Sequence, residues 1–120
     1  MNQYITDKKI SVVIPCLNEA ENIPVMYERL KKAFGSITSS YEFIYVDNAS
    51  VDGSEKLFEN ISNDDKNVSA IMMSRNFGSS DTSYSAGTEY ATGDAVVWLD
   101  GDLQDPPELI IEFVKKWVAG

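Results

Sequence analysis

Four short apolar runs divide the chain: ISVVIP at 10–15, YEFIYVD at 41–47, VSAIMMS at 68–74 and DAVVWLD at 94–100. All are rich in β-branched residues, and three are nearly continuous rather than alternating, as in strands covered on both faces of a parallel sheet. Between the runs the apolar positions fall into spacings of three and four. The first such segment predicts a helix with Asn22 as N-cap and Pro24 in its first turn. It carries Ile23, Met26, Leu30 and Phe34 on one face and stops at Gly35. A second helix follows Asp52, which stands with Glu55 at the spacing of a capping box; Leu57, Phe58 and Ile61 form its apolar face. A third is expected over 80–92, where Ala86, Gly87 and Ala91 permit close approach to a sheet and Gly93 ends the element. The fourth starts at Asp105 as N-cap, with Pro106 as first helical residue and Glu108 as the reciprocal cap, and buries Leu109, Ile110, Phe113 and Trp117.

Strand and helix alternate four times with short connections. That order predicts an α/β fold with an open, doubly wound, mostly parallel sheet joined by right-handed crossovers. In such sheets ligands bind beyond the carboxyl ends of the strands. The polar clusters of this chain fall there, at 18–22, 47–52, 75–80 and 100–105.

Composition narrows the chemistry. At 120 residues and 43% hydrophobic, the chain suits one domain with a real core, yet it is short for a two-substrate enzyme. The opening MNQYITDKK lacks the apolar segment of a signal peptide, and no run approaches the roughly 18 apolar residues of a membrane span, so the chain as given is expected to be soluble. One cysteine, Cys16, cannot form an internal disulfide, which fits a reducing, cytoplasmic setting; it is expected to be a small core residue. The net charge of −9 disfavours nucleic acid as a partner. The chain has no histidine, which removes the Ser-His-Asp triad, His-rich zinc sites and the commonest general base.

The stretch AVVWLDGDLQDPPEL, 95–109, is unusual in running apolar residues straight into carboxylates. Asp105 is explained as a cap, but Asp100 and Asp102 are not. In an extended segment residues two apart project to the same side, so the pair could converge on one hard cation, Mg2+ or Mn2+, leaving most of its shell to waters and substrate phosphates. The alternative is a solvated acidic loop. Asp47 emerges at the same edge after the second run, and Arg75, after the third, supplies a cation for a base or phosphate, or else a surface ion pair. Tyr84, Tyr90, Trp98 and Trp117 are expected to pack rather than to form stacking platforms.

Taken in order, SVVIPCLNEAENI, VDNASVDGS, SRNFG and LDGDLQDPPEL closely resemble the corresponding segments of family-2 inverting glycosyltransferases with the GT-A fold. The last is similar to the branch that transfers a sugar to a polyprenyl phosphate, that of the dolichol-phosphate mannose synthases. The resemblance implies a Rossmann-like nucleotide-binding half of a GT-A fold. It places Pro15, Asn18 and Glu19 in the nucleotide pocket, Asp47 on the base and Arg75 beside the nucleotide. Asp102 is implied as the direct metal ligand, Asp100 as a ribose contact or outer metal ligand, and Gln104 as a neighbour of the diphosphate or the arriving acceptor. The implied partners are a nucleoside-diphosphate sugar of UDP or GDP type and, in a longer protein attached to the cytoplasmic face of a membrane, a polyprenyl phosphate. Asn48 stands where this branch usually has a second aspartate, and Ser79 and Ser80 replace a commonly larger or charged residue. These departures bear on the base contact and donor choice.

That reaction suits these residues. A divalent ion acts as a Lewis acid on a departing diphosphate. A phosphate monoester, with a second pKa of about 6, is largely ionised near neutrality, so the missing histidine is no obstacle. Relatives of this kind continue beyond the D-G-D motif, so residues 1–120 are expected to be the donor-binding part, with little transfer of their own. Two rivals remain. A haloacid-dehalogenase-type phosphatase also uses D-x-D, but with Thr or Val where Gln104 stands and after the first strand rather than the fourth. A non-catalytic nucleotide- or metal-binding module would keep the site without the reaction. Neither G-x-G-x-x-G nor G-x-x-x-x-G-K occurs.

Overall fold

The computed structural model of the chain describes residues 4–76, 78 and 80–120. Strands β1 (Ile10–Cys16), β2 (Tyr41–Asp47), β3 (Val68–Met72) and β4 (Ala95–Trp98) alternate with helices α1 (Ile23–Phe34), α2 (Ser54–Asp64), α3 (Ser80–Tyr90) and α4 (Leu109–Ala119). The strands pair in parallel in the order β3-β2-β1-β4. The expected doubly wound sheet is therefore present, and its winding reverses between β1 and β4. The third and fourth strands end earlier than their apolar runs, leaving residues 73–74 and 99–100 to loops at the carboxyl edge.

Helices cover the two faces unequally. On one face Ile10, Val12, Ile14, Phe43 and Tyr45 pack with Leu30 and Phe34 of α1, Phe58 of α2 and Ile110 and Val114 of α4. Each large side chain so buried stabilises the fold by about 1.5–3 kcal/mol relative to exposure. On the other face Val13, Ile44 and Val46 meet Tyr84 and Ala91 in and just beyond α3. A Cβ on Gly87 would come within 2.3 Å of Val13 Cγ1, so the small residues of this helix do allow it to lie close against the sheet.

Three helix starts differ from the sequence pattern. Asn22 precedes α1 but does not cap it; its backbone is already helical, and its amide donates to Glu19 Oε2 at 2.6 Å. Before α2, Gly53 at φ 91° turns the chain, so Asp52 accepts from the Ser54 amide at 3.1 Å and from the Ser54 hydroxyl, and no capping box with Glu55 forms. Helix α4 starts at Leu109 rather than Asp105. Residues preceding a proline are kept out of the α region, and Pro106 and Pro107 impose this on both Asp105 and Pro106.

The expected burial along α4 is also corrected. Ile110 and Val114 are buried, but Leu109, Phe113 and Trp117 are exposed. Phe113 and Trp117 line an apolar groove of about 440 Å³ with Val96 and Trp98, because β4 is an edge strand among the described residues. Of the aromatics expected to pack, Tyr84 does so against the second core cluster and stacks on Trp98, with centroids 4.6 Å apart, whereas Trp98 is 56% exposed and Tyr90 lies outside the core. Among the described residues no helix is long and apolar enough to cross a membrane.

Candidate active site

The reversal of strand order opens a crevice between the ends of β1 and β4, where loops diverge to opposite sides. Strand β4 pairs only as far as Val13↔Trp98, while β1 continues to Cys16. The chain after β4 follows this overhang, with the Leu99 amide donating to Val13 O at 3.0 Å and the Gly101 amide to Pro15 O at 3.1 Å. This sets the residue between the two aspartates. A Cβ on Gly101 would fall 2.5 Å from Cys16 Sγ and 2.9 Å from Pro15 O, so only glycine fits so close to β1. Asp100 and Asp102 share a side through this turn, not through an extended segment. All three described non-glycine residues at positive φ, Asn18, Ala49 and Leu103, lie in loops at this edge.

The crevice has a volume of about 210 Å³. Pro15 and Glu19 line it from the β1 side, Asp100, Gly101 and Asp102 from the β4 side, and Asn48, Asn76 and Ser83 complete its polar lining. The Tyr84 hydroxyl donates to Asp100 Oδ1 at 3.1 Å, and the Gln104 amide donates to Asp102 Oδ1 at 3.0 Å. No other hydrogen bond to either carboxylate is formed among the described residues. The local field is negative. Burial, followed by the charges of Asp47, Glu19, Asp100 and Asp102, pushes the Cys16 thiol well above its usual range; at 4% exposure it is the small core residue expected.

Of the residues singled out in the sequence, Pro15, Glu19, Asp100 and Asp102 thus meet in one crevice. Asn18 stands outside it and ties two loops together, its Oδ1 accepting from the Val51 amide at 2.8 Å and its own amide donating to Ser50 Oγ at 2.8 Å. Asp47 is 3% exposed and accepts from the Ser50 amide at 3.0 Å and from the Ser50 hydroxyl, which holds the turn after β2. Arg75 is exposed in the bend after β3, and Gln104 is exposed beyond the two aspartates. Neither lines the crevice. Ser79 and the Ser80 side chain lie outside the described residues.

Sequence reasoning missed Asn76, Ser83 and the role of Tyr84, and treated Asn48 only as a departure. Asn48 Nδ2 donates to Asn76 Oδ1 at 3.1 Å, and the same oxygen accepts from the Gly78 amide at 2.8 Å. One signal was available. Ser83 stands four residues before Gly87, which places both on the sheet-facing side of a helix.

The donor set suits a hard divalent ion held jointly with a ligand. Among the described residues no group of three or more His, Cys, Asp or Glu side chains is assembled for a metal. Two carboxylates with an oxygen each to offer match an ion of the Mg2+ or Mn2+ kind, which uses one or two carboxylates and completes its octahedron with water and phosphate oxygens.

Comparison with known proteins bears on this geometry. Residues 11–120 match glycosyl transferase family 2. The uncharacterized glycosyltransferase YkcC of Bacillus subtilis is 42% identical over 110 residues, 92% of this chain and 34% of its own length. The undecaprenyl-phosphate 4-deoxy-4-formamido-L-arabinose transferase of Proteus mirabilis is 42% identical over 115 residues, 95% of this chain and 35% of its own. The chain therefore spans about one third of the length of the curated relatives it matches. Among solved structures, the mannosyltransferase PcManGT from Pyrobaculum calidifontis, in complex with GDP-Man and Mn2+, has a TM-score of 0.78 at 20% identity and covers 100% of this chain and 35% of its own. S. aureus TarS 1-349 has a TM-score of 0.74 at 20% identity, covering 92% of this chain and 32% of its own. At such identity these two likenesses establish the fold.

Proposed function

This chain belongs to glycosyl transferase family 2, and on that premise we propose that it is the donor-binding part of a metal-dependent inverting glycosyltransferase. The donor is a nucleoside-diphosphate sugar of UDP or GDP type, and the acceptor is a polyprenyl phosphate. The observation that carries the reading is the opening of Asp100 and Asp102, with Glu19, into one crevice at the switch point of the sheet. The name of the Proteus mirabilis relative supports the acceptor, and the ligands of the Pyrobaculum calidifontis structure support a sugar nucleotide with a divalent ion.

Asp102 and Asp100 would hold Mg2+ or Mn2+, which supplies Lewis-acid stabilisation to the departing diphosphate. The chain's own residues prepare that position. The Gln104 amide orients Asp102, the Tyr84 hydroxyl orients Asp100, and the Gly101 amide fixes both to the end of β1. Carboxylates alone would repel a diphosphate, so affinity for the donor depends on the ion. The nucleophile is an ionised phosphate oxygen and needs no histidine. The longer protein supplies the acceptor side at the cytoplasmic face of a membrane, and residues 1–120 bind donor without efficient transfer.

Titration calorimetry with UDP and GDP, each with and without Mn2+, tests the reading. Binding of at least one nucleotide that requires the ion is expected. Equal binding in the presence of a chelator, or none under any condition, would refute it.

A further inference from the structure

Among the described residues two buried side-chain polar atoms have no hydrogen-bond partner, Tyr45 Oη and Ser83 Oγ. An unpartnered buried hydroxyl is destabilising, since it has lost water and gained nothing in return. Serines in helices commonly bond back to a carbonyl one turn earlier, and Ser83 has not done so. The two orphans differ in surroundings. Tyr45 packs against Phe58 within the larger core, with ring centroids 5.1 Å apart. Ser83, 1% exposed, belongs to the lining of the crevice that holds Asp100 and Asp102.

We infer that Ser83 is a ligand contact whose hydroxyl donates to a phosphate oxygen of the bound diphosphate; the inference rests on the donor-binding reading above and deepens it. The chemistry of the crevice favours this partner. Glu19, Asp100 and Asp102 can only accept hydrogen bonds when ionised, and the Asn48 amide is engaged with Asn76. Ser83 can donate. It also stands in the first turn of the eleven-residue α3, where the helix's unpaired amides favour negative charge. A diphosphate held by an ion on the carboxylate side would meet there a neutral donor that lacks a partner until the ligand arrives.

The test compares Ser83→Ala with Tyr45→Phe, which removes the orphan outside the crevice. Melting temperature is measured without ligand, and affinity is measured for the preferred nucleoside diphosphate, for Mn2+-pyrophosphate and for the phosphate-free nucleoside. Ser83→Ala is expected to melt no lower than wild type, to bind the nucleoside diphosphate and Mn2+-pyrophosphate about tenfold more weakly, and to leave nucleoside affinity unchanged. Tyr45→Phe is expected to melt no lower and to bind all three as wild type does. A lower melting temperature for Ser83→Ala, unchanged diphosphate affinity, or an equal loss for the nucleoside would overturn the inference. Failure of the wild type to bind nucleotide would sink the donor reading, and the pyrophosphate arm would still judge Ser83.

Discussion

Both ends of the sheet carry carboxylates, and the protein treats them in opposite ways. At the amino end Glu42, near the start of β2, accepts from Ser11 Oγ at 2.6 Å, the Thr92 amide at 2.7 Å and Thr92 Oγ1 at 3.0 Å. Lys9 Nζ lies 4.0 Å from its other oxygen, and Ser11 Oγ in turn accepts from the Gly93 amide at 2.8 Å. Burial raises the pKa of Glu42, but these bonds outweigh it and hold the carboxyl below its ordinary value. At the carboxyl end Asp100 and Asp102 each receive a single hydrogen bond among the described residues. A carboxylate surrounded by donors joins strands and loops together; one left with acceptor capacity in a crevice is available to a cation. The same residue chemistry serves stability at one edge and, in the function proposed above, binding at the other.

The largest expected effect comes from breaking the carboxyl end. Asp102→Asn should weaken Mn2+-dependent nucleotide binding more than about 100-fold, beyond the range seen when residues supporting a metal ligand are lost. Its melting temperature should hold or rise, because a charge is removed from an acidic cluster. Retained metal dependence would show that Asp102 is merely solvated. The amino end should respond in reverse. Glu42→Gln should lower unfolding free energy by about 1–3 kcal/mol by leaving the buried Ser11 hydroxyl and the Thr92 donors poorly matched, with nucleotide affinity of the folded protein unchanged. Because the folded pKa of Glu42 is lowered, its stabilisation is fully present above the unfolded value of about 4.3 and is lost as pH falls through the folded value. Chemical denaturation from pH 7 to 3 should therefore show a weaker acid dependence in Glu42→Gln than in wild type.

Tyr84→Phe sharpens the contrast by removing the hydrogen bond that Asp100 accepts from the Tyr84 hydroxyl while keeping the ring stacked on Trp98. Burial, reinforced by Asp100, drives the Tyr84 phenol well above its usual range, so it stays a donor. Mn2+ affinity in the presence of nucleotide should fall by about tenfold, with affinity for the phosphate-free nucleoside and melting temperature unchanged. An equal loss for the phosphate-free nucleoside would show that Tyr84 shapes the crevice generally rather than positioning Asp100.

The fold was legible because each strand is an apolar run and each crossover has a helical period, two signals that do not depend on distant residues. The carboxylate pair was legible for a related reason. Asp100 and Asp102 interrupt an apolar run; the close approach of Gly101 between them to Pro15 and Cys16 emerges only in the structure. The site's remaining wall was not legible. Asn76 and Ser83 come from loops and helices whose approach to Asp100 depends on how α3 lies on the sheet, and nothing local in RNFGSSDTS specifies that. Helix starts misled for the opposite reason. Asp52 and Asp105 have the right side chains for caps, but Gly53 and the Pro106–Pro107 pair redirect the backbone before the side chains can act.

A third kind of carboxylate calibrates the other two. Glu108, just before α4, forms a two-pronged pair with Arg29 of α1, with Arg29 Nε 2.8 Å from Oε2 and Nη2 2.5 Å from Oε1. The pair holds Glu108 below the usual carboxylate range, chiefly through the Arg29 hydrogen bond. Its geometry rivals that of Glu42, yet both side chains are substantially exposed, so water and salt screen the attraction and take the place of either partner. Arg29→Gln should accordingly shift the urea midpoint far less than Glu42→Gln, and raising salt to about 0.5 M, where the Debye length falls well below 10 Å, should remove what difference there is. Nucleotide affinity should not change, since neither residue lines the crevice. A salt-resistant loss as large as that of Glu42→Gln would mean that bond geometry alone decides a carboxylate's worth here, and the distinction drawn between the two ends of the sheet would then have to rest on something other than shelter from solvent.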